Sequence, residues 1–214
     1  PPLELALPRQ LILSRIPNPN PNPNPRQLIL SRIGMERMMD ELQRVYVRPI
    51  CAALFPKEGE HVDHHHTFLV SYKQGQDLGL DMHTDACDVT LNVCLGKEFV
   101  GSGLTFCGVR GDLEGSERRF RHRHQHATGR AVIHLGHQRH GADNLISGER
   151  CNLIMWNKSS SFRLTRDFMA KYSQDPMGRG PPDLECLSYT HDPSYTFHHT
   201  IHTVHTLDHL RRHL

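Results

Sequence analysis

His83-Thr84-Asp85 places an imidazole and a carboxylate two residues apart. In a strand, residues two apart point to the same face, so the two groups converge on one point. A further histidine from a later strand would complete a two-histidine, one-carboxylate facial triad, an arrangement that leaves open positions on iron(II). The pair alone says little, since a solvated strand end carries the same residues by chance. Three later histidines are candidates for the remaining ligand: His134, His137 and His140.

A second requirement discriminates among them. If the open positions hold 2-oxoglutarate, its far carboxylate needs a buried cation, best a bidentate arginine. Oxygenases with such a metal site carry that cation about ten residues past the second histidine. Ten residues beyond His134 is Asn144, beyond His137 is Ser147, and beyond His140 is Arg150. Only His140 has a cation at that offset. Gly141 and Gly148 suggest a turn that would let His140 and Arg150 lie on adjacent returning strands. Asn152, two past Arg150, shares its face and is a candidate to assist at the same carboxylate.

The elements that must position these groups are mostly strands. Thr67–Tyr72, Asp88–Leu95, Leu104–Phe106, Arg130–His134 and Arg150–Trp156 are short apolar or alternating runs separated by glycine turns, a pattern of a sandwich or jelly roll. Before them, Met35, Met38, Met39, Leu42 and Val45 recur at helical spacing. Arg48-Pro49 is expected to interrupt that helix and start a second short one ending near Leu54. The expected organisation is a low-complexity leader at 1–27, a helical layer at 28–60, a jelly-roll domain at 61–165, and a loop-rich, His-rich tail at 166–214. In the leader, PRQLILSRI occurs twice around a Pro-Asn alternation that favours polyproline II. Two copies do not make a solenoid.

Taken together, the pieces resemble 2-oxoglutarate- and iron(II)-dependent oxygenases of the prolyl and lysyl hydroxylase type. The matching residues are Tyr72 with Gly75, His83-Thr84-Asp85, Gly101-Ser102-Gly103-Leu104-Thr105-Phe106, and His140-Gly141-Ala142 leading to Gly148-Glu149-Arg150. A narrower likeness is carried by YKQGQDLGLDMHTD, TLNVCLGKEF, HLGHQRHGA and GERCNLIMW, over roughly residues 28–165. The resemblance implies a mainly β, double-stranded β-helix with a short N-terminal helical layer. It implies iron(II) on His83, Asp85 and His140, and 2-oxoglutarate held by Arg150, with molecular oxygen consumed and ascorbate as reductant. Tyr72 would hydrogen-bond the 2-oxoglutarate carboxylate, although a plain core aromatic is an equal reading of that residue. The substrate class stays open among a protein side chain, a nucleic-acid base and a small molecule. A catalytically inactive jelly-roll binding module, and a zinc hydrolase or cupin-like metal-binding module, are the rival readings.

The remaining features are read as structural. The chain has 214 residues and a net charge of +2, so global charge makes no case for a nucleic-acid or membrane partner. No run approaches the ~20 apolar residues of a membrane span. There is no signal-peptide pattern, and the six cysteines contain no C-x-x-C pair, which favours scattered thiols in the cytoplasm or nucleus. Asp63-His64-His65-His66 is read as a solvated strand start rather than a metal cluster. Residues 118–130, with five arginines and three histidines, are read as a basic insertion loop. His198, His202, His205, His209 and His213 fall on one helical face of the tail. His134 and His137 are expected beside the site and not in it.

Overall fold

A computed structural model describes residues 27–109 and 121–170, apart from the side chains of Asp81, Val109 and Arg121. Residues 1–26, with the first copy of the leader repeat, residues 110–120, and residues 171–214, with the His-rich tail, lie outside the described residues.

Strand β1 (Gln27–Ile29) is followed by helices α1 (Glu36–Leu42) and α2 (Arg48–Leu54). Then come β2 (His64–Lys73), β3 (Leu80–His83), β4 (Val89–Gly96), β5 (Phe99–Gly101) and β6 (Leu104–Val109). After the gap follow β7 (Arg121–His124), β8 (Ala131–Leu135), β9 (Gln138–Ala142), β10 (Leu145–Lys158), α3 (Ser160–Arg163) and α4 (Arg166–Phe168). Two antiparallel sheets face each other. The larger runs β1-β2-β10-β4-β8, with β5 also on β10, and the smaller runs β3-β9-β6-β7. From β2 to β10 the chain crosses repeatedly between the sheets, which is the winding of a jelly roll or double-stranded β-helix.

The larger sheet has two buried faces. Leu69, Val89, Leu91 and Met155 point outward and pack under Leu28, Leu30, Met39, Val47 and Cys51 of the N-terminal segment. Phe68, Val70 and Tyr72 point inward against Ala142 and Leu145. The helical layer therefore shares its core with the barrel, and β1 is itself a strand of the larger sheet, pairing Leu28 with Leu69. None of the described helices is long and apolar enough to cross a membrane.

Several expectations need correcting. The second short helix has Pro49 in its first turn and ends at Leu54 as expected, but the chain stays helical up to it. A π turn at Gln43–Val47 joins α1 to α2, and Arg48 N–H donates to the Gln43 carbonyl five residues back. Widening the turn relieves the clash of the Pro49 ring with the preceding carbonyls. It also goes with a buried Gln43, whose amide donates to Asn157 Oδ1 at 3.0 Å and to the His64 carbonyl at 2.9 Å. Part of the basic segment is a strand, since Arg121–His124 pairs with β6. Cys107 is disulfide-bonded, whereas Cys51, Cys87, Cys94 and Cys151 are free. His64 is exposed, as a solvated strand start requires, while His66 leans on Phe68 and Trp156 at ring distances of 5.4 and 6.0 Å.

Candidate metal centre

His83 ends β3 and His140 lies opposite it on β9, the two being paired in register. Asp85 is not in the strand. It sits two residues beyond the end of β3, in a loop tied down by its own backbone N–H, which donates to the Gly136 carbonyl at 2.8 Å. Gly136 returns a bond to the Asp88 carbonyl at 2.9 Å. This lacing, not strand alternation, aims the carboxylate.

The three ligand atoms lie within 4.8 Å of one another. Asp85 Oδ1 is 3.6 Å from His83 Nε2, and Asp85 Oδ2 is 3.6 Å from His140 Nε2. The two imidazole rings are 4.4 Å apart. Asp85 and His140 are buried, while the His83 side chain is 27% exposed and marks the mouth of the site. His140 Nδ1 is 2.8 Å from the Gln138 carbonyl, which only accepts, so Nδ1 carries the proton and Nε2 presents a lone pair inward. Thr90, on the inner face of β4, donates to Asp85 Oδ2 at 2.5 Å. Burial pushes the Asp85 carboxyl upward, but the imidazoles of His140, His83 and His134 outweigh it and hold it well below the ordinary carboxylate range. Burial also keeps His140 neutral, with its pKa pulled down to about 3. Neutral imidazoles and an ionised carboxylate are the protonation states metal ligation requires. Two nitrogens and one oxygen around an open-mouthed point suit iron(II) with positions to spare.

Across the sandwich the inner face of the larger sheet carries a second polar group. Arg150 on β10 is opposite Tyr72 on β2, and it lies on the facing sheet rather than on a strand beside His140 as expected. The chain changes sheets between β9 and β10, which separates the two residues. Arg150 is 2% exposed, and its guanidinium carbon stands 4.6 Å from the Tyr72 ring centre. The Tyr72 hydroxyl hydrogen-bonds the guanidinium, and burial, partly offset by Arg150, pushes the phenol up to about 12. Arg150 Nε and one terminal nitrogen have no partner among the described residues. A buried guanidinium with idle N–H groups fits an anion that completes it, as a dicarboxylate would. Asn152, next along the same face, donates to Asn92 Oδ1 at 2.5 Å and leaves its own Oδ1 without a partner among the described residues.

The structure thus brings His83, Asp85 and His140 to one point, and places Tyr72, Arg150 and Asn152 on the facing sheet. His134 is buried against His140, at 4.5 Å between rings, and His137 lies toward Phe168, 6.3 Å away. Two neighbours escaped the sequence reading. Thr90 supports Asp85, and its position among apolar residues at inward-facing register was the available signal. His126 is buried beside Asn152, its Nε2 3.5 Å from Asn152 Nδ2, and was hidden inside what reads as a basic loop.

No family model matches the chain. Curated relatives do. The chain is 38% identical over 150 residues to 2-oxoglutarate and iron-dependent oxygenase domain-containing protein ICU11 of Arabidopsis thaliana, covering 68% of this chain and 38% of that protein. It is 38% identical over 138 residues to 2-oxoglutarate and iron-dependent oxygenase domain-containing protein 2 of Homo sapiens, covering 64% of this chain and 39% of that protein. The chain therefore spans about two fifths of the length of these relatives. Among solved structures, EvdO2 from Micromonospora carbonacea superposes with a TM-score of 0.49 at 14% identity, over 64% of this chain and 67% of that one. That likeness is too distant to bear on ligand or chemistry.

Proposed function

We propose that this chain, similar to the 2-oxoglutarate and iron-dependent oxygenase domain-containing proteins over about two thirds of its length, is itself an iron(II)- and 2-oxoglutarate-dependent dioxygenase. The observation that carries the reading is the pairing of two sites across one sandwich. Three candidate ligand atoms lie within 4.8 Å of one another on one side, and on the other a buried arginine has N–H groups without a partner among the described residues. Iron(II) and 2-oxoglutarate bound there supply the chemistry, oxidation of a substrate coupled to decarboxylation of 2-oxoglutarate to succinate.

The chain's own residues bind, orient and exclude water. His83, Asp85 and His140 would hold the metal. The Gln138 carbonyl fixes the His140 tautomer, and Thr90 fixes the Asp85 carboxylate. Arg150 anchors the distal carboxylate of the cosubstrate, with Tyr72 bracing the guanidinium and Asn152 alongside. Burial of this pocket strengthens each of those contacts by lowering the local dielectric. Molecular oxygen is the other cosubstrate, and ascorbate is proposed as reductant on the resemblance alone. The substrate is a molecule able to reach the mouth beside His83, whether protein side chain, nucleic-acid base or small molecule.

The test is succinate formation from 2-oxoglutarate by the purified chain with iron(II) in air. Succinate above the rate of metal alone supports the reading. Metal content without any succinate formation, over a screen of protein extracts as substrate source, points to an inactive binding module. Tight zinc with no response to 2-oxoglutarate points to a hydrolase or cupin-like module.

A further inference from the structure

The β7–β8 connection carries a buried histidine that the metal centre does not use. His126 is 5% exposed. The segment around it is held in place. Gln125 donates to the Gly101 carbonyl at 3.1 Å, Gly129 N–H to the Cys94 carbonyl at 2.8 Å, and Cys94 N–H to the Arg130 carbonyl at 2.9 Å. The ring therefore faces the inner surface of the larger sheet in a fixed place and is not a wandering loop side chain.

Its tautomer follows from its neighbour. Asn152 Nδ2 can only donate, and it lies 3.5 Å from His126 Nε2, a long contact whose only favourable sense makes Nε2 the acceptor. The ring proton then resides on Nδ1, which is buried and has no partner among the described residues. Burial, with the positive charge of Arg150 adding to it, pulls the imidazole down to about 3, so the ring is neutral. Arg150 Nε and one terminal nitrogen are idle in the same region. Arg150 and Asn152 are two apart on β10, on one face, and His126 leans on that face. His126 Nδ1, Arg150 Nε and one Arg150 terminal nitrogen are thus three buried donor nitrogens without an acceptor among the described residues, and His126 reaches the face of β10 that carries Arg150 through its contact with Asn152.

We propose that His126 is a further cosubstrate-binding residue, its Nδ1–H donating to the distal carboxylate that Arg150 anchors. The inference rests on the oxygenase reading above and adds to it a second donor, from the β7–β8 connection. Asn152 then has a definite task. Its amide nitrogen spans Asn92 and His126, holding the imidazole in the tautomer that donates.

Equilibrium binding under anaerobic conditions to the iron(II)-loaded chain tests this, with two acids compared. 2-Oxoglutarate has the distal carboxylate, and 2-oxopentanoate keeps the oxo-acid end without it. In His126→Phe the dissociation constant for 2-oxoglutarate is expected to rise about ten- to a hundredfold, the weight of one hydrogen bond to a charged group, while that for 2-oxopentanoate stays put. His126→Asn, whose amide N–H falls near the Nδ1 place, should recover much of the loss, and His126→Gln should not. Equal weakening of both acids, or unchanged 2-oxoglutarate affinity, overturns the assignment, the former showing a packing role only. Wild-type protein that fails to prefer 2-oxoglutarate over 2-oxopentanoate overturns the cosubstrate reading itself, and the role of His126 with it.

Discussion

Arg150 and Tyr72 sit directly opposite one another on β10 and β2, with the guanidinium carbon 4.6 Å from the centre of the phenol ring. The guanidinium thus rests on an aromatic ring. The hydroxyl adds a hydrogen bond to the guanidinium. Tyr72→Phe keeps the ring and removes that bond. The Michaelis constant for 2-oxoglutarate is expected to rise roughly three- to tenfold, since the hydroxyl positions the cation without replacing it. Steady-state kinetics check it, and a wild-type constant would assign Tyr72 to packing alone.

Arg150 itself is predicted to matter more. Arg150→Ala removes a charge-assisted contact worth about 1.5–3 kcal/mol or more. That corresponds to a Michaelis constant raised by about tenfold to a few hundredfold at ~1.4 kcal/mol per decade. Iron content should not change, because Arg150 lies on the opposite sheet from the ligands. Arg150→Lys should recover part of the loss, as a point charge without the fork.

Gly136 links fold to site. A Cβ there would stand 2.1 Å from the Cys87 carbonyl oxygen, and that backbone belongs to the loop carrying Asp85. Gly136→Ala must push the loop aside. The expected result is a loss of about 1–3 kcal/mol in stability, the usual effect of overpacking, with iron affinity reduced as well. Denaturant unfolding and metal content measured on the same sample check both. Iron binding unaltered in a stable variant would show that the loop has more room than the backbone contacts allow.

The buried His126 gives the metal-free chain an acid-sensitive stability. Its pKa falls from 6.5 to about 3 on folding, so the unfolded chain binds the proton first. This contribution is fully present above about pH 6.5 and is lost as pH falls from there toward 3. Within that window one such group contributes a slope of up to ~1.4 kcal/mol per pH unit. In His126→Phe the slope of unfolding free energy against pH should be shallower by up to that amount between pH 6 and 4. An identical slope would mean that His126 titrates in the folded chain as it does when unfolded.

Much of the site was legible in the sequence, and the residues that escaped did so for physical reasons. His83-Thr84-Asp85 and His140 are groups that the fold does bring together, whereas the ten-residue offset led to an Arg150 that stands on the facing sheet. The stated cause was partly wrong, since Asp85 is aimed by loop hydrogen bonds to Gly136 and not by strand alternation. Strands β4 and β10 were visible from their alternation, but its sense misleads. Val89, Leu91 and Met155 face outward under the helices, while Thr90, Asn92, Arg150 and Asn152 face inward. A polar face that looks like a solvent face is the pocket wall. Strands β3 and β9 were expected only through the histidines they carry, because LDMH and QRHGA have no apolar alternation to betray them. His126 was unreadable for a similar reason, since nothing local separates one buried histidine from its exposed neighbours in a basic run.

The measurement that bears most directly on the account is iron content, by mass spectrometry, of the wild-type chain and three variants loaded with iron(II) under the same conditions. Asp85→Ala loses the only anionic ligand, and His140→Ala loses the more deeply buried imidazole. Both should come through folded and with iron at background. His137→Ala, whose ring lies toward Phe168, should retain iron at the wild-type level of about one per chain, as a single facial triad requires. Iron at the wild-type level in Asp85→Ala, or iron lost from His137→Ala and kept in His140→Ala, would contradict the site.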